Sequence, residues 1–396
     1  MKLFKKITFS LALSFAALSG MAIPRAEYPR PQFERADWQN LNGEWTYEFD
    51  FGKSGMNRRL FDSKGFGNKI TVPFCPESEL SGVGHKDFIP AMWYHRKVQI
   101  PDSWKDKSTI LHFGGVDFFT GVYLDGKLVG RHWGESAPFS VDITEYVKDG
   151  KEHDLVVRVE DDLRSGTQPA GKQCGNYYSE GCHYTRTTGI WQTVWMEPVS
   201  KLGLQGVYII PDLDNSQFIV EPSFRNLQSG QQVEVKVKDG NKVVASARQA
   251  TSPVNKIPLK IKNVKTWSPE SPFLYDVELN VYDKDGKLVD TVNSYAGMRK
   301  IHVEGNQYFL NNEPYYLRFV LDQGFYPDGI WTAPTDEALR RDIELSKEAG
   351  FNGARLHQKV FEERFHYWAD KLGYLTWGEF PSWGANMNNP LSARNM

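Results

Sequence analysis

Three short apolar runs near the C-terminal end of this 396-residue chain each give way to side chains that can do chemistry. Tyr315-Tyr316-Leu317-Arg318-Phe319-Val320 leads to Asp322 and Gln323. Phe351 to Leu356 ends in Arg355-Leu356-His357-Gln358. Tyr374-Leu375-Thr376-Trp377 leads to Gly378-Glu379-Phe380-Pro381-Ser382-Trp383. A guanidinium, an imidazole, two amides and two carboxylates are donors and acceptors for a polyhydroxylated ligand. Indole faces can stack on a sugar ring or pack a core. Polar and aromatic residues crowded just past strand C-termini mark the active-site face of a (β/α)8 barrel.

The elements between these runs fit that reading. Thr335 can cap a helix whose first turn carries Asp336 and Glu337, with Gly350 at its end. Glu362 to Leu372 reads as a second helix closed by Gly373. The expectation for 298–396 is therefore the first three βα units of an α/β TIM barrel. A whole barrel takes about 250 residues, and only Gly384 to Met396 follow Trp383. The barrel is expected to be incomplete and its chemistry only partly present.

Upstream the text is all-β. In 28–201, Gly43 to Phe49, Met92 to Val98, Ile110 to Phe113, Gly121 to Leu124 and Asp154 to Val159 read as strands, and Asp125-Gly126 is a hairpin signal. Strand count and length suit a two-sheet jelly-roll sandwich. In 203–296 about seven short strands, with turns at Asp239-Gly240 and Asp285-Gly286, suit an immunoglobulin-like β-sandwich lacking a Cys pair. Trp267-Ser268-Pro269-Glu270-Ser271-Pro272 forms a Pro-rich corner, and a hairpin around Asn311-Asn312 enters the last unit.

Composition narrows the partners. The 47 basic and 49 acidic residues leave a formal charge of −2, which offers no electrostatic basis for nucleic acid or an anionic membrane surface. Lys2, Lys5 and Lys6 followed by the mostly apolar Ile7 to Leu18 and the small residues Gly20-Met21-Ala22 read as a signal peptide over 1–22. The apolar run is short for a membrane span. The chain is expected to be exported, to the periplasm or outside the cell. Export permits disulfides; Cys174 and Cys182 share one loop and can pair, leaving Cys75 odd. No metal-ligand spacing occurs, so no metal or cofactor is expected.

Four segments, in order, resemble glycoside hydrolase family 2, which holds β-galactosidases, β-glucuronidases and β-mannosidases. They are Gly134-Glu135-Ser136-Ala137-Pro138-Phe139 with Asp142-Ile143-Thr144; Thr185-Arg186-Thr187-Thr188-Gly189-Ile190-Trp191-Gln192-Thr193-Val194-Trp195; Trp267 to Tyr275; and Phe351-Asn352-Gly353-Ala354-Arg355 with Tyr367-Trp368-Ala369-Asp370-Lys371-Leu372-Gly373-Tyr374 and Trp377-Gly378-Glu379. The resemblance implies a glycosidase acting on β-glycosides with retention, through two Glu residues about 5–5.5 Å apart. It places those residues at the ends of barrel strands four and seven, so no catalytic residue is assigned here. Asn312-Glu313 lies in the hairpin before the first strand.

The resemblance also implies a sugar pocket. Arg355 matches an Arg that supports the catalytic carboxylates, or else forms a structural ion pair. His357 and Gln358 stand where many relatives carry Ser-His. Glu379 can accept from sugar hydroxyls or pair with Arg355. In large β-galactosidases a Glu here helps hold magnesium together with a His two residues on; Pro381 takes that place, so the metal is not carried over. Asp322 follows the first strand, Trp377 and Trp383 are stacking candidates, and His183, in the long loop Gln168 to Thr185, can reach the substrate or stay structural. The expected partner is an oligosaccharide, polysaccharide or glycoside, with the oligomeric state unassigned. The alternatives are a non-catalytic carbohydrate-binding β-sandwich protein and a scaffold that only mediates assembly.

Overall fold

The computed structural model describes residues 22–148, 150–386 and 388–395. The signal-peptide reading falls, apart from Ala22, outside the described residues. No helix among the described residues is long and apolar enough to cross a membrane.

The first unit packs two antiparallel sheets face to face. Six strands run in the spatial order Asn68–Val72, Gly43–Phe49, Ala91–Gln99, Glu152–Glu160, Phe119–Leu124 and Lys127–Trp133. Four run in the order Gln39–Asn40, Val194–Val199, Ser108–Phe113 and Phe139–Asp142. Between them lies a core that includes Trp45, Met92, Tyr94, Leu111, Val157 and Met196. Asp125 and Gly126 both take positive φ, at 47° and 79°, closing the hairpin that this dipeptide favours.

The second unit shows how alternation makes a sandwich. In Gln232–Asp239, Val233, Val235 and Val237 point inward and are fully buried. Its neighbour Tyr275–Tyr282 buries Tyr275, Val277, Leu279 and Val281 in register. The intervening Lys236, Lys238 and Glu278 face out and pair with one another. A period of two with one apolar face is what a half-buried strand requires. Each buried aliphatic side chain contributes about 1.5–3 kcal/mol of transfer free energy.

The last unit has three parallel strands, Phe319–Asp322, Gly353–Leu356 and Leu375–Gly378, joined by the helices Asp336–Glu348 and Glu363–Leu372. Thr335 caps the first helix, its side chain accepting from the Ala338 amide. Gly373 ends the second at φ 72°. A Cβ there would lie 2.5 Å from the Pro269 carbonyl oxygen, so this helix end seats directly on the Pro-rich corner of the sandwich. The Trp267 indole donates to the Asp370 carbonyl at 2.7 Å, and Arg299 and Tyr295 hold the Asp370 carboxylate at 2.7 and 3.1 Å.

One expectation needs correction, and one open point is settled. The first parallel strand begins four residues later than the apolar run Tyr315 to Val320 indicates. The Tyr315 amide bonds back to Tyr308, and the Asn352 side chain takes the Arg318 amide and the Tyr316 carbonyl, so these groups are satisfied without a ladder. The cysteines are also unpaired. Cys174 is buried with Sγ 3.4 Å from the Tyr178 carbonyl, whereas Cys182 is exposed.

Candidate functional site

The ends of the three parallel strands bring most of the expected residues together around Glu379. Arg355 donates from Nε to one oxygen of that carboxylate at 2.7 Å, and its Nη2 lies 2.7 Å from the same oxygen in an ion pair. The other oxygen takes the Gln358 backbone amide at 2.8 Å and contacts His357 Nδ1. Burial acts to raise the Glu379 carboxyl, but the bonds from Arg355, the Gln358 amide and His357 outweigh it and hold it below its ordinary value. Glu379 is thus an ionised acceptor held by cationic and neutral donors.

Gln358 ties this cluster to the next segment. It sits at φ 59°, a conformation uncommon outside glycine. Its side-chain oxygen accepts from the Ser382 and Trp383 amides at 3.0 and 2.9 Å. Trp383 consequently stands at the mouth, 5.6 Å from the His357 ring and 5.8 Å from that of His183. His183, from the first unit, therefore does meet the strand-end cluster. Leu321, Arg355 and Trp377 share one register and one face of the sheet, and all three are exposed.

Asp322 does not join them. It is the last residue of the first strand rather than the residue after it, and it pairs in register with Leu356. Leu356 packs on the helices. Asp322 accordingly faces the helix side, where it lines a cavity of about 450 Å³ with Asp342, Ser346 and Tyr374. Burial raises its carboxyl; the Gly324 amide and Lys359 only partly offset this. The strand runs two residues past Val320, so Asp322 lies within it, and alternation turns it to the face opposite Leu321 and Arg355.

Sequence reading missed the joint between the first and last units. Trp191, Cys75, Ile330 and Trp331 form a shared core. Lys359 is buried within it, donating to the carbonyls of Gly324 and Trp331 at 2.6 and 2.8 Å, with Nζ 5.0 Å from the Trp191 ring. Burial lowers its ammonium to about 8 despite Glu362, Asp322 and Asp342. Farther inside the first unit, Glu77, Asp117, Glu135 and Asp161 are all buried. Thr188 bonds both Glu77 and Asp161, and Gln173 bonds Asp117. Neither carboxylate oxygen of Glu135 has a partner. Only Glu135 carried a signal, as part of the Gly134-to-Phe139 motif. Among the described residues no three His, Cys, Asp or Glu side chains are grouped to hold a metal ion.

Comparison with known proteins agrees with this architecture. Residues 38–197 match the model described as glycosyl hydrolases family 2, sugar binding domain, and residues 204–299 match the model of glycosyl hydrolases family 2. A β-galactosidase of Thermoanaerobacter pseudethanolicus is 26% identical over 370 residues, covering 88% of this chain and 47% of that protein. A β-glucuronidase of Bacteroides fragilis is 26% identical over 355 residues, 86% of this chain and 49% of that protein. The structure of a β-glucuronidase from Ruminococcus gnavus in complex with D-glucuronic acid shares the fold at a TM-score of 0.79 and 22% identity, covering 95% of this chain and 65% of that one. The chain spans about half the length of these curated relatives. Two adjoining family models in their expected order, on a multidomain β-rich fold, lead to one assignment: the chain belongs to glycosyl hydrolases family 2.

Proposed function

We propose that the chain forms part of an exported β-glycoside hydrolase, its parallel strands the start of a TIM barrel and their ends one wall of a sugar pocket. The observation that carries this is the Glu379 cluster. An ionised acceptor, fixed by Arg355, His357 and Gln358 beside the exposed indole of Trp383, suits hydroxyl groups on one side and a sugar face on the other.

The reaction proposed is hydrolysis with retention. One carboxylic acid protonates the leaving oxygen while a carboxylate attacks the anomeric carbon; water then releases the sugar from the glycosyl-enzyme. The strand-end cluster holds one carboxylate, Glu379, already engaged by Arg355, so neither catalytic role is assigned to a residue of this chain. That same observation favours a second reading, in which this chain by itself binds sugar without turnover.

Titration calorimetry with methyl β-D-glucoside, β-D-galactoside and β-D-glucuronide tests the proposal. Saturable binding to at least one is expected, and Glu379→Gln is expected to weaken it. Absence of binding to all three sinks the pocket reading. Assay against the corresponding nitrophenyl glycosides separates the two readings: this chain should turn over orders of magnitude below the ~10 per second of a typical enzyme.

A further inference from the structure

We propose that the loop Gly166 to Thr185 is a proton-operated latch on the mouth: it stays down while the buried carboxyls that grip it keep their protons, and lifts when they lose them. The inference holds whichever ligand the mouth takes.

The grip is a pair of glutamines, both buried. Gln168 Nε2 donates to Asp161 at 2.8 Å, and its side-chain oxygen accepts from the Asp162 amide at 3.2 Å. Gln173 Nε2 donates to Asp117 at 2.8 Å, and its side-chain oxygen accepts from the Thr187 amide at 2.8 Å. Each glutamine thus carries a hydrogen bond from the loop into the cluster of Glu77, Asp117, Glu135 and Asp161. Toward the last unit, the amides of Ala170 and Gly171 donate to the Trp383 carbonyl at 2.7 and 3.2 Å. The Lys172 ammonium lies 3.9 Å from the centre of the Trp383 ring, and His183 stands beside the same ring. Lifting the loop removes Lys172 and His183 from the mouth.

The cluster is short of partners. Asp117 Oδ1, Glu77 Oε1 and both oxygens of Glu135 are buried without a hydrogen bond. Asp161 faces Asp162 and Arg186, Glu77 faces Cys75 and Tyr94, and otherwise the carboxyls face one another. Arg186 spends its Nη1 on the carbonyls of Cys174 and Asn176. Arg164, which lines a small cavity with Asp161 and Asp162, lies over the Phe88 ring at 3.8 Å. Lys359, in the neighbouring joint, answers to Glu362, Asp322 and Asp342. Four carboxylates facing one guanidinium away from water repel one another, so the closed form retains protons.

The sign follows from burial, which places Asp161 at about 6, Glu77 at about 7, Glu135 at about 8 and Asp117 well above the ordinary value. With the loop lifted, water reaches the cluster and its carboxyls return toward about 4. The closed loop is favoured fully below that value and loses the preference as pH rises through the closed-state values.

Hydrogen exchange read by mass spectrometry on the whole chain, with intrinsic rates corrected for pH, tests the latch. The opening constant of peptides within 166–185 should rise about tenfold per pH unit for each proton released, and so at least ~10-fold between pH 6 and pH 8. It should exceed that of the sandwich strand Gln232–Asp239 throughout and stay insensitive to low urea, as a local opening does. The double variant D117N/D161N replaces the two gripping carboxyls with amides that cannot ionise; it should keep the loop closed at pH 8 and cut the rise to less than about threefold. Q168A/Q173A removes the grip itself and should leave the loop open to exchange at pH 6 as at pH 8. An opening constant in wild type that is level from pH 6 to pH 8 overturns the latch, whether or not the variants fold. So does a rise that D117N/D161N retains in full, or a loop that exchanges only as fast as the sandwich strand at every pH.

Discussion

Two groups of carboxyls, one in the first unit and one at the parallel strand ends, meet opposite fates. Glu77, Asp117, Glu135 and Asp161 are sealed inside the jelly-roll unit without an ion pair, and burial pushes every one of them upward, Asp161 to about 6, Glu77 to about 7 and Glu135 to about 8. Glu379 lies at an open mouth among donors and is held down. The chemistry of the group is the same; its partners and its distance from water set the charge. The first cluster is a buried structural element whose carboxyls ionise at higher pH than ordinary ones, Asp161 first, and the second is an anion held at the mouth.

The comparison can be broken most severely at the mouth. Arg355→Ala should weaken glycoside binding at least about tenfold and, in a catalytically complete protein carrying this chain, lower turnover about a hundredfold, because the carboxylate it orients is no longer fixed. Its effect on stability should stay below about 1 kcal/mol, since the Arg355 side chain is half exposed and screened by solvent. Unchanged binding with a lowered melting temperature would make the pair structural.

The sealed cluster predicts a pH dependence. A carboxyl whose folded pKa is raised above its unfolded value favours the folded state fully below that unfolded value, near 4, and loses this contribution as pH rises through the folded value. Stability measured by denaturant titration should therefore fall from about pH 5 to pH 8, by about 1 kcal/mol per pH unit for each group that titrates in that interval. Glu135→Gln should flatten the slope without altering glycoside affinity. A profile that is level over this interval in the wild type would refute the assignment.

A smaller effect concerns the loop that joins the two regions. Trp383→Ala removes the indole beneath Lys172 and beside His183, so limited proteolysis within Gly166 to Thr185 should quicken several-fold while cleavage in the sandwich stays unchanged. The least perturbing test is thiol labelling. Cys182 should react promptly with an alkylating reagent, whereas Cys75 and Cys174 should react only on unfolding. Protection of Cys182 would contradict its exposed position.

Much of the scaffold was legible because local chemistry and tertiary packing agree. Gly43 to Phe49 was read to the residue, and Thr335 and Gly373 bound their helices as their side chains and backbone freedom dictate. The strand at Phe319–Asp322 was misjudged because Tyr315 to Arg318 are apolar or aromatic enough to look extended, yet the Asn352 amide, distant in sequence, satisfies their backbone. Because the strand continues through Asp322, alternation turns that residue away from the face of Arg355 and Trp377. Arg355, His357, Gln358, Glu379 and Trp383 were visible from their place after apolar runs, and their gathering around one carboxylate follows from strand register. Lys172 and Lys359 gave no signal, since a lone Lys reads as solvated surface until two units close over it.

The Trp383 carbonyl, which receives two amides from the first unit, has a consequence for protein engineering. A contact whose cation is lent by one unit and whose indole belongs to another is inherited in two pieces. Exchanging the jelly-roll unit between relatives would alter the surroundings of Trp383 along with the fold. Chimeras that cut the chain near residue 200 should consequently fail to behave as a simple graft of a binding module onto a catalytic one.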